Sequence, residues 1–108
     1  MNYDKALEMY GSFVDQCPRF ERKGKTMPYT SANGHMFSIL NKDGELGIRF
    51  SKEVQENYIE KYNTSIIKSH GAIMRGYILI TEYMMNEKDL VPDLLNESYD
   101  YVMSLKKK

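Results

Sequence analysis

Hydrophobic positions recur along this chain with two different spacings, and each change of spacing marks a new element. Over residues 2–17 the apolar side chains fall three and four apart, which predicts one amphipathic helix that Pro18 ends. Over residues 26–50 they fall two apart, which is typical of strands. The helical spacing returns over residues 52–62 and again from about Pro92 to Leu105.

Three strands are predicted in the alternating region, at residues 26–31, 35–41 and 45–50. In the second, alternation predicts His35, Phe37 and Ile39 on one face and Met36, Ser38 and Leu40 on the other. In the third, Leu46, Ile48 and Phe50 alternate with polar or small residues, which indicates one buried and one solvated sheet face.

Two dipeptides predict tight hairpin turns between these strands. Asn33-Gly34 and Asp43-Gly44 are both favoured in type I′ turns, which need a positive φ at their two central residues. A further hairpin is predicted from strands at residues 65–69 and 73–81, joined around His70.

The last of these strands is apolar on both faces. Alternation predicts one face with Ile73, Tyr77 and Leu79, and the other with Met74, Ile78 and Ile80. A strand of this kind is usually central in its sheet, or else covers a subunit interface. Arg75 is the one charged residue within it, and we expect it to be exposed or at an interface.

Capping residues fix where the helices begin. Asn2 and Ser51 are suitable N-caps for the first two helices, and Asn63 can end the second in the left-handed conformation. Either Asn86 or Asp89 caps the last helix, after a connector at residues 82–86 that has room for one helical turn.

The order α-β3-α-β2-α predicts a two-layer α+β domain over residues 1–108, with an antiparallel sheet covered by helices on one face.

Composition narrows the classes of function. Lys+Arg and Asp+Glu both number 15 among 108 residues, so the basic surplus of a typical nucleic-acid-binding protein is missing. The lone cysteine, Cys17, suits a reducing cytoplasm and is expected to be a buried small hydrophobe. We expect no membrane span, no metal and no cofactor, because the corresponding apolar segment and motifs do not occur.

One basic cluster stands outside the C-terminal lysines at residues 106–108. It comprises Arg19, Arg22, Lys23 and Lys25, which could contact phosphates or could simply form a solvated connector. The lysines at the end of the last helix complement its dipole, which explains them without a partner.

No nucleophile elbow, zinc-binding helix motif or phosphate-binding glycine loop occurs, so no catalytic residue is predicted. If a pocket exists, we expect it among the polar groups of the strands and turns. These candidate pocket or interface residues are Tyr29, His35, Arg49, His70, Arg75 and Tyr77.

From about Gly24 to Leu105 the chain resembles the TfoX (Sxy) N-terminal domain family. The resemblance rests on Gly34-His35-Met36-Phe37, on Asp43-Gly44-Glu45-Leu46 with Ile48-Arg49-Phe50, on the strand 73–80, and on Asp89-Leu90 before a final amphipathic helix. It implies an α-β3-α-β2-α fold and a link to gene regulation through a transcription factor. The glycine pair typical of the family's first strand is absent here, where residues 24–29 read Gly-Lys-Thr-Met-Pro-Tyr.

Three functions therefore follow from the sequence. The first is a non-enzymatic protein-interaction module or transcription co-regulator, acting through a protein partner or as a homodimer. The second is direct nucleic-acid binding through the Arg19–Lys25 cluster, which the zero net charge disfavours. The third is a small-ligand binder, or an enzyme with an unrecognised site, whose pocket gathers the polar groups named above.

Overall fold

The computed structural model describes residues 2–69 and 72–108. The helices are α1 (Tyr3–Asp15), α2 (Lys52–Lys61), α3 (Glu82–Met85) and α4 (Leu90–Met103). The strands are β1 (Tyr29–Ala32), β2 (His35–Leu40), β3 (Leu46–Arg49), β4 (Ile66–Ser69) and β5 (Ala72–Ile80). This order confirms the predicted α+β fold. The short helix α3 lies in the connector at residues 82–86, which had room for one helical turn.

The five strands form one antiparallel sheet in the order β1-β2-β3-β5-β4. The β5 strand lies between β3 and β4, which confirms the central position predicted from its two apolar faces. The turn of the β4–β5 hairpin, including His70, lies outside the described residues.

All four helices contribute to a single core on one face of the sheet. This helix-side core contains buried residues of α1, α3 and α4 together with Leu40, Leu46, Ile48 and Ile78 of the strands, while α2 packs partly buried apolar side chains against it. The predicted covering of one sheet face by helices is therefore confirmed. Ser38 and Thr30 are also buried on this side, where the Ser38 hydroxyl lies 2.6 Å from the hydroxyl of Tyr10 in α1.

The other sheet face, which we call the open face, carries a second and smaller apolar cluster. Ile39, Ile67 and Tyr77 are buried in it, and no described helix residue belongs to it. Its half-buried members are Met27, Tyr29, Met36, Met74 and Leu79.

A bulge in β2 changes the predicted assignment of its side chains to the two faces. Thr30 pairs with Ser38 whereas Ser31 pairs with Met36, so Phe37 is an extra residue on β2. Phe37 packs against Phe20 and Tyr99 on the helix side, at ring-centroid distances of 5.0 and 6.0 Å.

The predicted alternation of β2 is therefore wrong. Phe37 and Ser38 both lie on the helix side, and Ile39 joins Met36 on the open face. An extra residue shifts every later side chain of the strand by one position, so period-two counting fails past it.

A second irregularity lies in β5, at Gly76. Lys68 pairs with Ile73 and Ile66 pairs with Ile78, so β5 spans three more residues than β4 over this interval. Gly76 has φ of +86°, a conformation that glycine adopts without strain. The predicted grouping of Ile73 with Tyr77 and Leu79 is consequently wrong, because Met74 instead packs with them on the open face.

The two predicted hairpin turns have different outcomes. Asn33 and Gly34 have φ of +56° and +79°, as a type I′ turn requires. The type I′ prediction for Asp43-Gly44 is wrong, because only Gly44 has a positive φ. Here Asn41 controls the turn, since its side-chain oxygen accepts hydrogen bonds from the backbone N–H groups of Asp43 and Glu45.

The β1 strand begins at Tyr29, three residues later than predicted. The backbones of Lys23 and Tyr29 exchange two hydrogen bonds of 2.7 and 2.9 Å, which closes residues 24–28 into a loop. Gly24 within this loop has φ of +81°. Of these loop residues, Pro28 still contacts β2, because its carbonyl accepts a hydrogen bond from the Leu40 N–H at 2.9 Å beside the β1–β2 ladder.

Side-chain caps begin the first two helices as predicted. Asn2 accepts a hydrogen bond from the backbone of Lys5, and Ser51 accepts one from that of Val54. Asn63 follows α2 with φ of +51°, as expected. Asp89 stands at the start of α4, but it has φ of +61° and its side chain makes no capping hydrogen bond.

Within the described residues, no helix is long and apolar enough to cross a membrane.

Candidate functional site

A cleft opens where β3 ends and α2 begins, beside residues of β4 and β5. Its volume is about 450 Å³, within the range of small-molecule sites. We call it the cationic cleft, after three of its residues. The described residues that line it are Arg49, Phe50, Lys52, Gln55, Ile66, Ile73, Arg75, Gly76 and Tyr101.

Arg49 is held at the end of β3 by contacts on both sides. Its carbonyl oxygen accepts a hydrogen bond from the hydroxyl of Ser98 in α4. Its guanidinium carbon lies 5.8 Å from the centre of the Tyr101 ring, within cation–π range. Arg49 thus joins the end of the sheet to the second half of α4.

The bulge at Gly76 brings Arg75 to the same cleft. The Phe50 N–H donates to the Gly76 carbonyl at 2.9 Å, which ties the bulge to the start of α2. A Cβ at Gly76 would lie 3.3 Å from Cγ of Arg49, so the two segments approach closely. Arg75 is exposed, which is the first of the two alternatives predicted for it.

Lys52 is the third cation of the cleft. It is the first residue of α2 and directly follows the N-cap Ser51, which fixes where the helix begins. One turn later, the Gln55 side-chain amide donates to the Tyr77 carbonyl at 3.0 Å, which anchors α2 to β5. The first turn of α2 is therefore fixed against the sheet on one side and faces the cleft on the other.

The cleft is positively charged without internal compensation. Among the described residues, no carboxylate lies within ion-pair distance of Arg49, Lys52 or Arg75. None of the described residues that line the cleft is acidic. Three other surface concavities are each lined by at least two carboxylates. Because the protein as a whole is neutral, the cationic character is local to this cleft.

The remaining wall of the cleft is apolar. The side chains of Ile66 and Ile73 are 38% and 58% exposed, two of the largest exposures of bulky aliphatic residues in the described chain. Together with the Tyr101 ring they form a surface that a hydrophobic group could cover. The cleft thus combines a hydrophobic wall with positive charge.

The structure brings together only part of the predicted pocket set. Arg49 and Arg75 share the cleft. Tyr77 pairs with Arg49 across β3 and β5, but its hydroxyl donates to the Met36 carbonyl at 2.8 Å over the open face. Burial raises the pKa of Tyr77 well above its usual value, and the nearby Arg49 charge opposes that rise.

The other predicted pocket residues lie elsewhere. Tyr29 belongs to the open-face cluster. A ring nitrogen of His35 lies 2.9 Å from the Lys106 carbonyl, beside the C-terminal end of α4. His70 is outside the described residues. The polar groups named from the sequence therefore do not converge on one pocket.

Lys52, Gln55 and Tyr101 line the cleft although sequence analysis did not single them out. In the sequence, the positions of Lys52 and Gln55 are typical of the solvated face of a helix. The position of Tyr101 is typical of the apolar face of an amphipathic helix. A glycine inside an apolar strand is a known sign of a bulge, so Gly76 was the one available signal near this site.

Arg19 of the basic cluster has a structural partner. Its guanidinium donates to Asp100 at 2.7 Å and stacks 4.5 Å from the centre of the Tyr99 ring. Arg22 lies beside α1, Lys23 forms the bridge to Tyr29, and Lys25 is exposed in the following loop. The contacts of Arg19 attach the segment that follows α1 to α4. The Arg19 guanidinium is therefore already engaged and is not free to bind a phosphate.

Cys17 is buried, as expected, at 2% exposure. Burial raises the pKa of its thiol, which disfavours the reactive thiolate. Within residues 2–69 and 72–108, no group of three or more potential metal ligands is found.

The fold and the cleft together define a small α+β domain with a locally cationic cleft. Compared with protein-family models, with curated proteins and with solved structures, the chain gives no match.

Proposed function

We propose that this protein is a non-enzymatic binding module and that its binding site is the cationic cleft, which takes up a small anionic ligand. The observation that carries the proposal is the convergence of Arg49, Lys52 and Arg75 with no carboxylate among the described lining residues. Three cations in one cleft repel each other, and a bound anion relieves that repulsion.

The resemblance to the TfoX (Sxy) N-terminal domain family supports the same class of protein. It adds the expectation of a cytoplasmic regulatory protein that acts through a protein partner. Direct nucleic-acid binding is less favoured, because the net charge is zero and Arg19 is engaged with Asp100.

The test is thermal unfolding in chloride, sulfate, phosphate and citrate at one ionic strength. Ligand that binds only the folded state raises the unfolding midpoint by mass action. Multivalent anions also stabilise proteins generically, so the wild type is compared with Arg75→Gln in the cleft and with Arg22→Gln beside α1 as the matched control.

We expect the multivalent anions to stabilise the wild type and Arg22→Gln equally, and Arg75→Gln distinctly less. Equal stabilisation of all three proteins would show that the anions act generically, and would refute the proposal.

A second candidate function is self-association through the open face. The described members of its cluster are all Met, Tyr, Ile or Leu, and no described helix residue belongs to it. Two copies of a protein with zero formal net charge do not repel each other at long range. A second copy of the chain is therefore the partner that we propose for this face.

A further inference from the structure

The three cations of the cleft provide more charge than a carboxylate can neutralise. A carboxylate carries one negative charge, whereas a phosphate monoester carries about 1.5 to 2 at neutral pH. Arg49 and Arg75 also present planar guanidinium groups, whose paired N–H donors match two oxygens of a phosphate. Charge and geometry both favour a terminal phosphate.

The size of the cleft shows that a phosphate group alone would leave much of it unfilled. Its volume is about 450 Å³, and sites of this size usually hold organic molecules that bury most of their surface. The cleft therefore has room for a carbon skeleton beyond the anionic group.

The apolar wall indicates what that carbon skeleton is. Ile66 and Ile73 offer exposed aliphatic surface, and the Tyr101 ring is already covered on one side by the Arg49 guanidinium at 5.8 Å. Aromatic and guanidinium faces both stack on flat rings. A planar, unsaturated ring fits this surface better than a flexible polar chain.

Resting on the proposed function, we infer that the ligand of the cationic cleft is a small phosphate monoester attached to a planar ring system. Its phosphate lies among Arg49, Lys52 and Arg75, and its ring lies against Tyr101, Ile66 and Ile73. Aryl phosphates and nucleoside 5′-monophosphates share this chemistry.

The experiment is isothermal titration calorimetry at low salt with five probes. They are phenyl phosphate, adenosine 5′-monophosphate, inorganic phosphate, benzoate and phenol. We expect at least one of the two ring-bearing phosphates to bind about tenfold more tightly than inorganic phosphate or benzoate, with phenol weakest. Preference between phenyl phosphate and adenosine 5′-monophosphate then distinguishes an aryl phosphate from a nucleotide.

Variants locate each part of the ligand. Arg75→Gln should weaken the tighter ring-bearing phosphate about tenfold, through loss of a charge-assisted contact. Tyr101→Leu should weaken the same probe by a larger factor than it weakens inorganic phosphate, because it removes the surface for the ring as well as the cation–π contact of Arg49. The control Arg22→Gln should bind like the wild type, and circular dichroism of each variant checks that it is folded.

The pH dependence supplies an independent readout. The second pKa of a phosphate monoester is about 6, so its affinity should rise between pH 5 and pH 7.5 as the dianion forms. Benzoate keeps one charge over this range, and its affinity should stay flat.

The outcomes separate this inference from the proposed function. If benzoate or inorganic phosphate binds as tightly as both ring-bearing phosphates, with Arg75→Gln weakening it, the cleft binds anions but the inference is wrong. If no probe binds, or if Arg75→Gln has no more effect than Arg22→Gln, both the inference and the proposed function are wrong.

Discussion

Tyr10 shows at the scale of a single residue how a polar group is accommodated in the core. Its side chain is fully buried, and its hydroxyl lies 2.6 Å from that of Ser38, which also contacts the hydroxyl of Thr30. Because no described buried side-chain polar atom lacks a partner, this chain of hydroxyls costs little desolvation energy. It fixes the position of α1 on the sheet at one point.

This arrangement predicts a loss of stability in alkali. Burial raises the pKa of Tyr10 to about 12, although its hydrogen bonds to Ser38 and Thr30 oppose the rise. In the unfolded chain the tyrosine pKa is about 10, so the unfolded chain loses this proton at a lower pH than the folded chain does. The contribution of neutral Tyr10 to the free energy of unfolding is therefore complete below pH 10 and is lost as the pH rises through 12. By pH 11 the loss from Tyr10 alone is about 1 kcal/mol.

Urea denaturation at pH 8, 10 and 11 measures this slope. Tyr10→Phe should be less stable at pH 8, since the Ser38 hydroxyl loses a partner, and should lose less additional stability between pH 10 and 11. An identical alkaline slope in the wild type and Tyr10→Phe would contradict the assignment. Tyr77, whose pKa is also raised by burial, contributes to the remaining slope in both proteins.

At the scale of elements, bulges decide which residues reach each face of the sheet. The bulge at Phe37 places two consecutive residues of β2 on the helix side. The bulge at Gly76 brings Arg75 to the cleft beside Arg49. Both irregularities therefore bear directly on the core or on the candidate site.

Two glycine substitutions are expected to have opposite effects on stability. Gly76→Ala introduces a Cβ at a φ of +86° and 3.0 Å from the Phe50 carbonyl oxygen, so we expect a loss of about 1–3 kcal/mol. Gly11→Ala adds a Cβ inside α1 whose nearest neighbour outside the helix backbone, Nη1 of Arg22, is 3.8 Å away, so we expect a gain of about 0.5–1 kcal/mol.

Chemical denaturation of the two variants tests this contrast directly. A Gly76→Ala protein as stable as the wild type would show that the bulge is not constrained by its left-handed backbone. Gly11→Ala serves as the control for the general effect of adding one methyl group.

At the scale of the whole molecule, residues 102–108 are attached to the β1–β2 turn. The Asn33 side-chain amide donates to the carbonyls of Val102 and Leu105 at 3.0 and 2.8 Å, so the β1–β2 turn caps the end of α4. The Lys108 N–H lies 3.3 Å from the Asn33 carbonyl in the same turn. The C-terminal lysines are therefore attached to this turn through their own backbone groups, next to His35.

The open face predicts a change of oligomeric state on mutation. If a second copy covers this face, light scattering coupled to size-exclusion chromatography should detect a dimer of the wild type. Met36→Lys, which places a charge on the open face, should return the protein to a monomer. Tyr83→Glu is the matched control, because Tyr83 is 74% exposed on α3 and is not part of the open-face cluster.

A wild type that remains monomeric at high concentration would refute self-association through this face. A dimer that both variants leave intact would place the interface elsewhere.

The sequence alone determined the order of the elements and much of their boundaries, because these depend on local spacing. Helical periodicity, the caps at Asn2 and Ser51 and the Asn33-Gly34 turn each act within a few residues. β5 lies inside the sheet, which is the first of the two alternatives that its apolar faces indicated. The predicted convergence of polar groups was only partly correct, since Arg49 and Arg75 meet whereas Tyr29 and His35 lie elsewhere.

Only the tertiary structure decided the register and the site. A bulge depends on how two strands pair, and counting along one strand does not reveal where Phe37 or Gly76 interrupts the pattern. The cationic cleft joins the end of β3, the start of α2, the bulge of β5 and Tyr101 of α4, which are up to 52 residues apart in the chain. Such a site exists only once hydrophobic burial has brought those elements together, because no local pattern in the sequence encodes their proximity.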